Sequence, residues 1–165
     1  MVTLIKSTLA FLLILWGIAE IPFTQSVVRE YTGFIRKPII VSEKQLNCLA
    51  ENVYREARGE TKEGMKLVAM TTLNRARKAK ATICSTVYKP HQFSWTSLKH
   101  KSKISKKEFL EIKGLVANVV NTQYEDSRNL KVTHFYNPHK VRKPVWAKKM
   151  QIVLQEGNHI FLAEK

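Results

Sequence analysis

Three glutamates, Glu56, Glu60 and Glu63, stand close together beside Arg58 and Gly59 in the segment EARGETKEG. A carboxyl group at the edge of an apolar surface is partly desolvated, which disfavours its charged form and raises its pKa. Moving a glutamate from about 4.3 to about 6–7 costs roughly 3 kcal/mol. It then stays protonated near neutral pH and can donate that proton, which is what a general acid needs to cleave a glycosidic bond. A solvated acidic patch fits the same spacing, and it fits Glu60 and Glu63 better than Glu56.

Other chemistries find less support. Twelve of the 13 acids are Glu and the only Asp is Asp126, which argues against an aspartic-protease dyad, an Asp-rich two-metal nuclease or an EF-hand loop. Gly59 to Gly64 is followed by Met65 and Lys66, where a phosphate-binding loop needs Lys and then Ser or Thr. The five histidines, His91, His100, His134, His139 and His159, contain no H-E-x-x-H and no ligand-like spacing, so they read as structural, and neither a metal nor a cofactor is expected. A Ser or Cys nucleophile has no local signature. Phe93, Trp95, Tyr136 and Trp146 fall in apparent loops, where aromatic faces either stack on sugar rings or pack into a core.

Elements that position Glu56 follow from the periodicity. Ser42-Glu43-Lys44-Gln45 is a capping box that starts a helix. Leu46, Leu49, Ala50, Val53 and Ala57 continue it at helical spacing, and Gly59 stops it. At 100° per residue Glu56 lies about 20° from Leu49, on the border of the buried stripe. Thr61 caps a second helix through Met65, Val68, Ala69, Thr72, Leu73 and Ala76. Residues 80–104 carry few helical signals. Ser105-Lys106-Lys107-Glu108 is a second capping box, opening a third helix to about Tyr124. Val132 to Tyr136 alternates as a short strand, His159 to Leu162 suits another, and Val145 to Leu154 reads as a short helix. The expected fold is α+β, predominantly helical, with a few short late strands.

The 165 residues suffice for one domain. Residues 1–23 hold an apolar run, Leu9 to Ala19, preceded by Lys6. It suits a signal-peptide core, with an uncleaved signal anchor in the inner membrane as the alternative. A linker is expected over 24–41 and the domain proper over 42–165, exported to the periplasm or cell envelope. Cys48 and Cys84 are the only cysteines. In an exported chain one disulfide is the simple reading, and two buried free thiols are the alternative.

With 28 Lys and Arg the net charge is +15, which implies polyanionic surroundings. Between Glu63 and Glu108 there are 11 Lys and Arg and no acid. Such a stretch tracks phosphates or holds the protein to anionic envelope polymer. A non-catalytic basic module binding wall polymer or nucleic acid is thus the alternative to an enzyme, but the leader argues against nucleic acid.

The segment Glu56-Ala57-Arg58-Gly59-Glu60, with Glu63-Gly64, Val68-Ala69 and Leu73-Asn74-Arg75, resembles the signature of the SleB-type cell wall hydrolases, the spore cortex-lytic family. The resemblance continues through Gln92-Phe93-Ser94-Trp95, Thr133-His134-Phe135-Tyr136-Asn137-Pro138, Pro144-x-Trp146-Ala147 and Gly157-Asn158-His159-Ile160-Phe161. It spans about Leu46 to Phe161, and Cys48 and Cys84 fall where cysteine-bearing members place theirs. Ala76 after Asn-Arg and Met65 depart from the usual Val and Gln.

The resemblance implies a lysozyme-like fold related to lytic transglycosylases, and peptidoglycan glycan strands as the substrate; a monomer is expected. By position it makes Glu56 the catalytic acid, cutting between N-acetylmuramic acid and N-acetylglucosamine to leave 1,6-anhydromuramic ends. Arg58, Glu60, Asn74 and Arg75 are then expected to order the site, and Gln92, Ser94, Trp95, Tyr136 and Asn137 to line the glycan groove.

Overall fold

The computed structural model describes residues 41–100, 102–122 and 131–165. The expected leader, nearly all of the linker, Asp126 and the region of Tyr124 lie outside the described residues.

Helix α1, Glu43–Ala57, starts where Ser42 Oγ accepts the Gln45 N–H at 3.4 Å. Only this half of the expected capping box is made. The Gln45 side chain instead accepts the Cys84 N–H at 2.9 Å, next to the Cys48–Cys84 disulfide that joins the two segments. Leu49, Ala50, Val53, Tyr54 and Ala57 are buried along one stripe. Arg58 is already extended and Gly59 turns the chain with φ +86°, a conformation that costs glycine nothing. Thr61 Oγ1 accepts the Gly64 N–H at 2.9 Å and opens α2, Lys62–Ala79.

Residues 80–104 hold two short elements that the sequence reading missed. The five-residue helix α3, Ile83–Val87, is capped by Thr82, and a 3-10 turn spans Ser94–Ser97. Neither is long enough to display a period. Helix α4, Lys106–Thr122, follows. Its capping box is also rerouted. Ser105 Oγ accepts the Glu108 N–H, but the Ser105 N–H donates to the Tyr54 hydroxyl, which itself donates to Glu108 Oε2. A buried tyrosine of α1 thus fixes the start of α4.

Strands β1 (His134–Tyr136), β2 (Met150–Glu156) and β3 (His159–Glu164) form an antiparallel sheet in the order β1-β3-β2. The helix expected over Val145 to Leu154 is not there: a 3-10 turn covers Val145–Lys149 and the rest is β2. Ile152, Val153 and Leu154 favour a pleated surface. A two-residue hairpin turn, Gly157-Asn158, pairs Glu156 with His159, and Gly157 takes φ +54° as such turns require.

One apolar core joins the helices: Leu49, Val53, Leu67, Val68, Met70, Val116, Val119 and Phe161 are all buried in it. Asn52 crosses this core, donating to Thr72 Oγ1 at 3.0 Å and accepting the Trp95 indole N–H at 2.9 Å. Its polar atoms are satisfied, so the 94–97 turn is tied to α1 and α2 without an unpaired buried group.

Candidate active site

The last turn of α1 presents Glu56 to a cleft of about 410 Å3, lined also by Arg75 of α2, by His91 to Ser94, by His134 and Phe135 of β1, and by Trp146. Ala57, the next residue, is wholly buried, so the helix stop sets Glu56 at the border between core and cleft. Burial pushes the Glu56 carboxyl up, and the opposing attraction of Arg75 and Lys140 does not cancel it. Among the residues lining the cleft, Glu56 is the only carboxylate.

Arg75 is held from three sides. Its Nε donates to the Thr133 carbonyl, its guanidinium lies 5.1 Å from the Phe93 ring centroid, and Glu56 attracts its charge. Burial lowers its pKa to about 10, against the pull of Glu56, so it stays charged at neutral pH. The adjacent Asn74 donates to the Val132 carbonyl at 2.8 Å and accepts from Arg77. Consecutive side chains of α2 thus grip consecutive carbonyls, and they fix where β1 starts and where His134 enters the cleft. Burial and Arg75 lower the His134 pKa, leaving a neutral ring at pH 7.

Glu60 does different work. Its carboxylate accepts the Asn158 backbone N–H at 3.0 Å and the Asn158 amide at 3.1 and 3.3 Å. Burial alone would raise its pKa, but the bonds from Asn158 and the charges of His159 and Lys140 hold it below the usual range. Thr61 adds a hydroxyl bond to Glu156 at 2.7 Å. The second glutamate of the E-A-R-G-E segment therefore clamps the β2–β3 turn. Arg58 also lies outside the cleft, with its guanidinium donating to the Tyr54 hydroxyl and lying 5.2 Å from the Tyr54 ring.

Of the five residues expected in the glycan groove, Gln92 and Ser94 line the cleft. Trp95 does not: it is only 5% exposed, because its ring fills the core and its N–H is taken by Asn52. Tyr136 is buried beside Ala147 and Leu162. Asn137 builds the following turn, accepting the His139 N–H on its side chain and the Lys140 and Val141 N–H groups on its carbonyl. That turn carries Lys140, whose charge acts on Glu56, Glu60 and His159. Lys140 went unnoticed in the sequence, as did His91 and His134 as cleft residues. Among the described residues no group of three or more His, Cys, Asp and Glu side chains is placed to hold a metal ion. Nor is any described helix long and apolar enough to cross a membrane.

A helix-dominated α+β domain thus sets a half-buried carboxyl, Glu56, in a polar and aromatic cleft. The solved catalytic domain of the Bacillus cereus SleB protein has a similar structure, with a TM-score of 0.61 and 23% identity over 76% of this chain and 94% of that one. The catalytic domain of the germination-specific lytic transglycosylase SleB from Bacillus anthracis is similar too, at 0.57 and 22%, over 76% of this chain and 99% of that one. No curated protein matches the chain. The profile of the cell wall hydrolases matches residues 59–162. This chain belongs to the cell wall hydrolase family and is an enzyme of cell wall lysis. The matched span begins just after Glu56.

Proposed function

We propose that the enzyme cleaves peptidoglycan glycan strands between N-acetylmuramic acid and N-acetylglucosamine as a lytic transglycosylase, with Glu56 as its single acid and base. Protonated Glu56 donates to the glycosidic oxygen as the C1–O bond breaks. The resulting carboxylate then takes the proton of the muramic 6-hydroxyl as its oxygen closes onto C1, giving the 1,6-anhydro end. Proton and bonds balance within the substrate, and no water is consumed.

One observation carries this reading: Glu56 is a half-buried carboxyl, raised by burial, with no second carboxylate among the residues lining its cleft. Inverting hydrolysis places a second carboxylate about 6.5–9.5 Å away to activate water, and retaining hydrolysis usually uses one as nucleophile. Intramolecular attack by the 6-hydroxyl needs neither. Gln92 and Ser94 supply polar groups to the glycan, Arg75 and Asn74 order the acid and β1, and Glu60 and Arg58 support α1 and its stop. The basic surface suits an exported enzyme held against an anionic envelope, with residues 1–23 as signal or anchor and the domain acting as a monomer.

The test is a digest of purified peptidoglycan by the full chain and by its Glu56→Gln variant, read by mass spectrometry. Anhydromuramic ends from the wild type alone are expected. Reducing muramic ends would overturn transglycosylation in favour of hydrolysis. Folded protein that is retained on the wall in a salt-sensitive manner without cutting it would instead establish a basic binding module.

A further inference from the structure

Trp146 is the aromatic residue of the cleft whose position core packing does not explain. It stays 41% exposed, whereas Trp95 is 5% exposed. Its backbone is fixed by a 3-10 turn that starts at Pro144, is closed by the Ala147 N–H to the Pro144 carbonyl at 3.0 Å, and is anchored by buried Ala147. Its ring meets His134 at 5.1 Å, tilted by 42°, and Tyr136 at 6.2 Å, edge-on at 87°. The His134 ring is itself oriented by a 3.0 Å contact between its Nδ1 and the Thr133 hydroxyl. A large apolar ring is thus supported by two neighbouring rings and left open in the cleft that holds Glu56.

We propose that Trp146 is a stacking platform for one N-acetylhexosamine ring of the bound glycan, preorganised by His134 and Tyr136. The C–H face of a pyranose is apolar and its rim is polar. It therefore matches an open aromatic face in a cleft that also offers Gln92 and Ser94. Fixing the ring before binding removes the ordering cost that a free side chain would incur, so the platform acts through affinity. The inference rests on the glycan-cleaving reading of the cleft and adds a subsite to it.

The experiment titrates an N-acetylglucosamine tetramer into the full-length Glu56→Gln protein, which lacks the proposed acid, and follows tryptophan fluorescence and calorimetric heat. A saturable fluorescence change is expected. Trp146→Ala in that background should abolish it and weaken binding about 10-fold or more, and Trp146→Phe should recover most of the affinity. In the active enzyme, Trp146→Ala should raise the half-saturating peptidoglycan concentration by a similar factor, with a much smaller effect on kcat. Unchanged affinity in a Trp146→Ala protein that melts like its parent would overturn the platform. If that variant unfolds, equal affinities of Trp146→Phe and Trp146→Leu would overturn it instead. The two readings fail separately. Cleavage surviving Glu56→Gln refutes the proposed acid and leaves the binding result standing, whereas unchanged tetramer affinity refutes only the platform.

Discussion

Replacing Gly157 by alanine tests whether Glu60 is a clamp. Gly157 has φ +54°, and a Cβ built there would lie 2.5 Å from Glu60 Oε2. The left-handed backbone costs a residue with a Cβ about 1–2 kcal/mol. Relief of the collision requires the carboxylate to swing away, but it is held by the backbone N–H and side-chain amide of Asn158. Losing one such charged hydrogen bond adds about 1.5–3 kcal/mol. The expected destabilisation is therefore about 2.5–5 kcal/mol. At about 4 °C per kcal/mol for a domain of this size, the melting temperature falls by about 10–20 °C.

Far-UV circular dichroism during thermal unfolding measures that fall, and a double-mutant cycle isolates its cause. In a Glu60→Ala background neither the collision nor the bonds exist, so Gly157→Ala should cost only its backbone share of about 1–2 kcal/mol. A destabilisation of the single variant below about 1 kcal/mol, or strict additivity of the two substitutions, would refute the clamp. In either case the site of chemistry would have to be reconsidered, because a Glu60 free of the turn is available for catalysis.

Glu56→Gln should lower turnover by at least about 100-fold, the lower bound for a general acid, while raising the melting temperature at pH 7 by removing a carboxyl whose ionisation burial penalises. The sign follows from linkage: a carboxyl whose folded pKa lies above 4.5 destabilises the fold as pH rises through that interval, and the amide does not titrate. Lys140→Ala removes a charge that pulls the Glu56 pKa down. The alkaline limb of kcat/KM should therefore move to higher pH, and a limb that stays in place would exclude Lys140 as a neighbour of the acid. His134 and His159 have pKa values lowered by burial, so stability should fall as pH drops below 6.5. His159→Gln should flatten that limb in a melting series. Reducing the Cys48–Cys84 disulfide, which spans 36 residues, should cost roughly 3–4 kcal/mol, measured by urea unfolding with and without reductant.

The sequence made the helices legible where local rules suffice: a cap at Ser42, a repeat at three and four, and a glycine at 59. It placed Glu56 at the border of the buried stripe for the same reason, since helical angle is a property of spacing. Trp95 and Trp146 show where such rules end. Both are aromatics in short 3-10 turns. Trp95 faces the core because Asn52, 43 positions away, accepts its N–H, and Trp146 stays open because His134 and Tyr136 occupy its flanks. The run from Val145 to Leu154 fits a helix or a strand by periodicity alone, and pairing with β3 decides it. Capping boxes at Ser42 and Ser105 were half right, because tertiary partners at Cys84 and Tyr54 compete for the same groups.

The opposing influences on Glu56 suit a group that must act twice. Burial favours the protonated acid, while Arg75 and Lys140 favour the carboxylate that remains after donation. With burial alone the group would hold its proton too firmly, and with the cations alone it would be deprotonated before substrate arrived. Arg75 can serve in this balance because its Nε is bound to Thr133 and its face is packed on Phe93, so it is fixed beside the acid rather than free to collapse onto it. On the proposed mechanism the two cations stabilise Glu56 during the interval when C1 carries positive character and the 6-hydroxyl has yet to give up its proton. The anchoring of Arg75 to the Thr133 carbonyl just before β1, and of the 137–141 turn that carries Lys140, is then a requirement of the first half of the reaction, in which Glu56 gives up its proton. Loss of either cation leaves Glu56 a weaker acid and a stronger base, so it should slow bond cleavage more than ring closure.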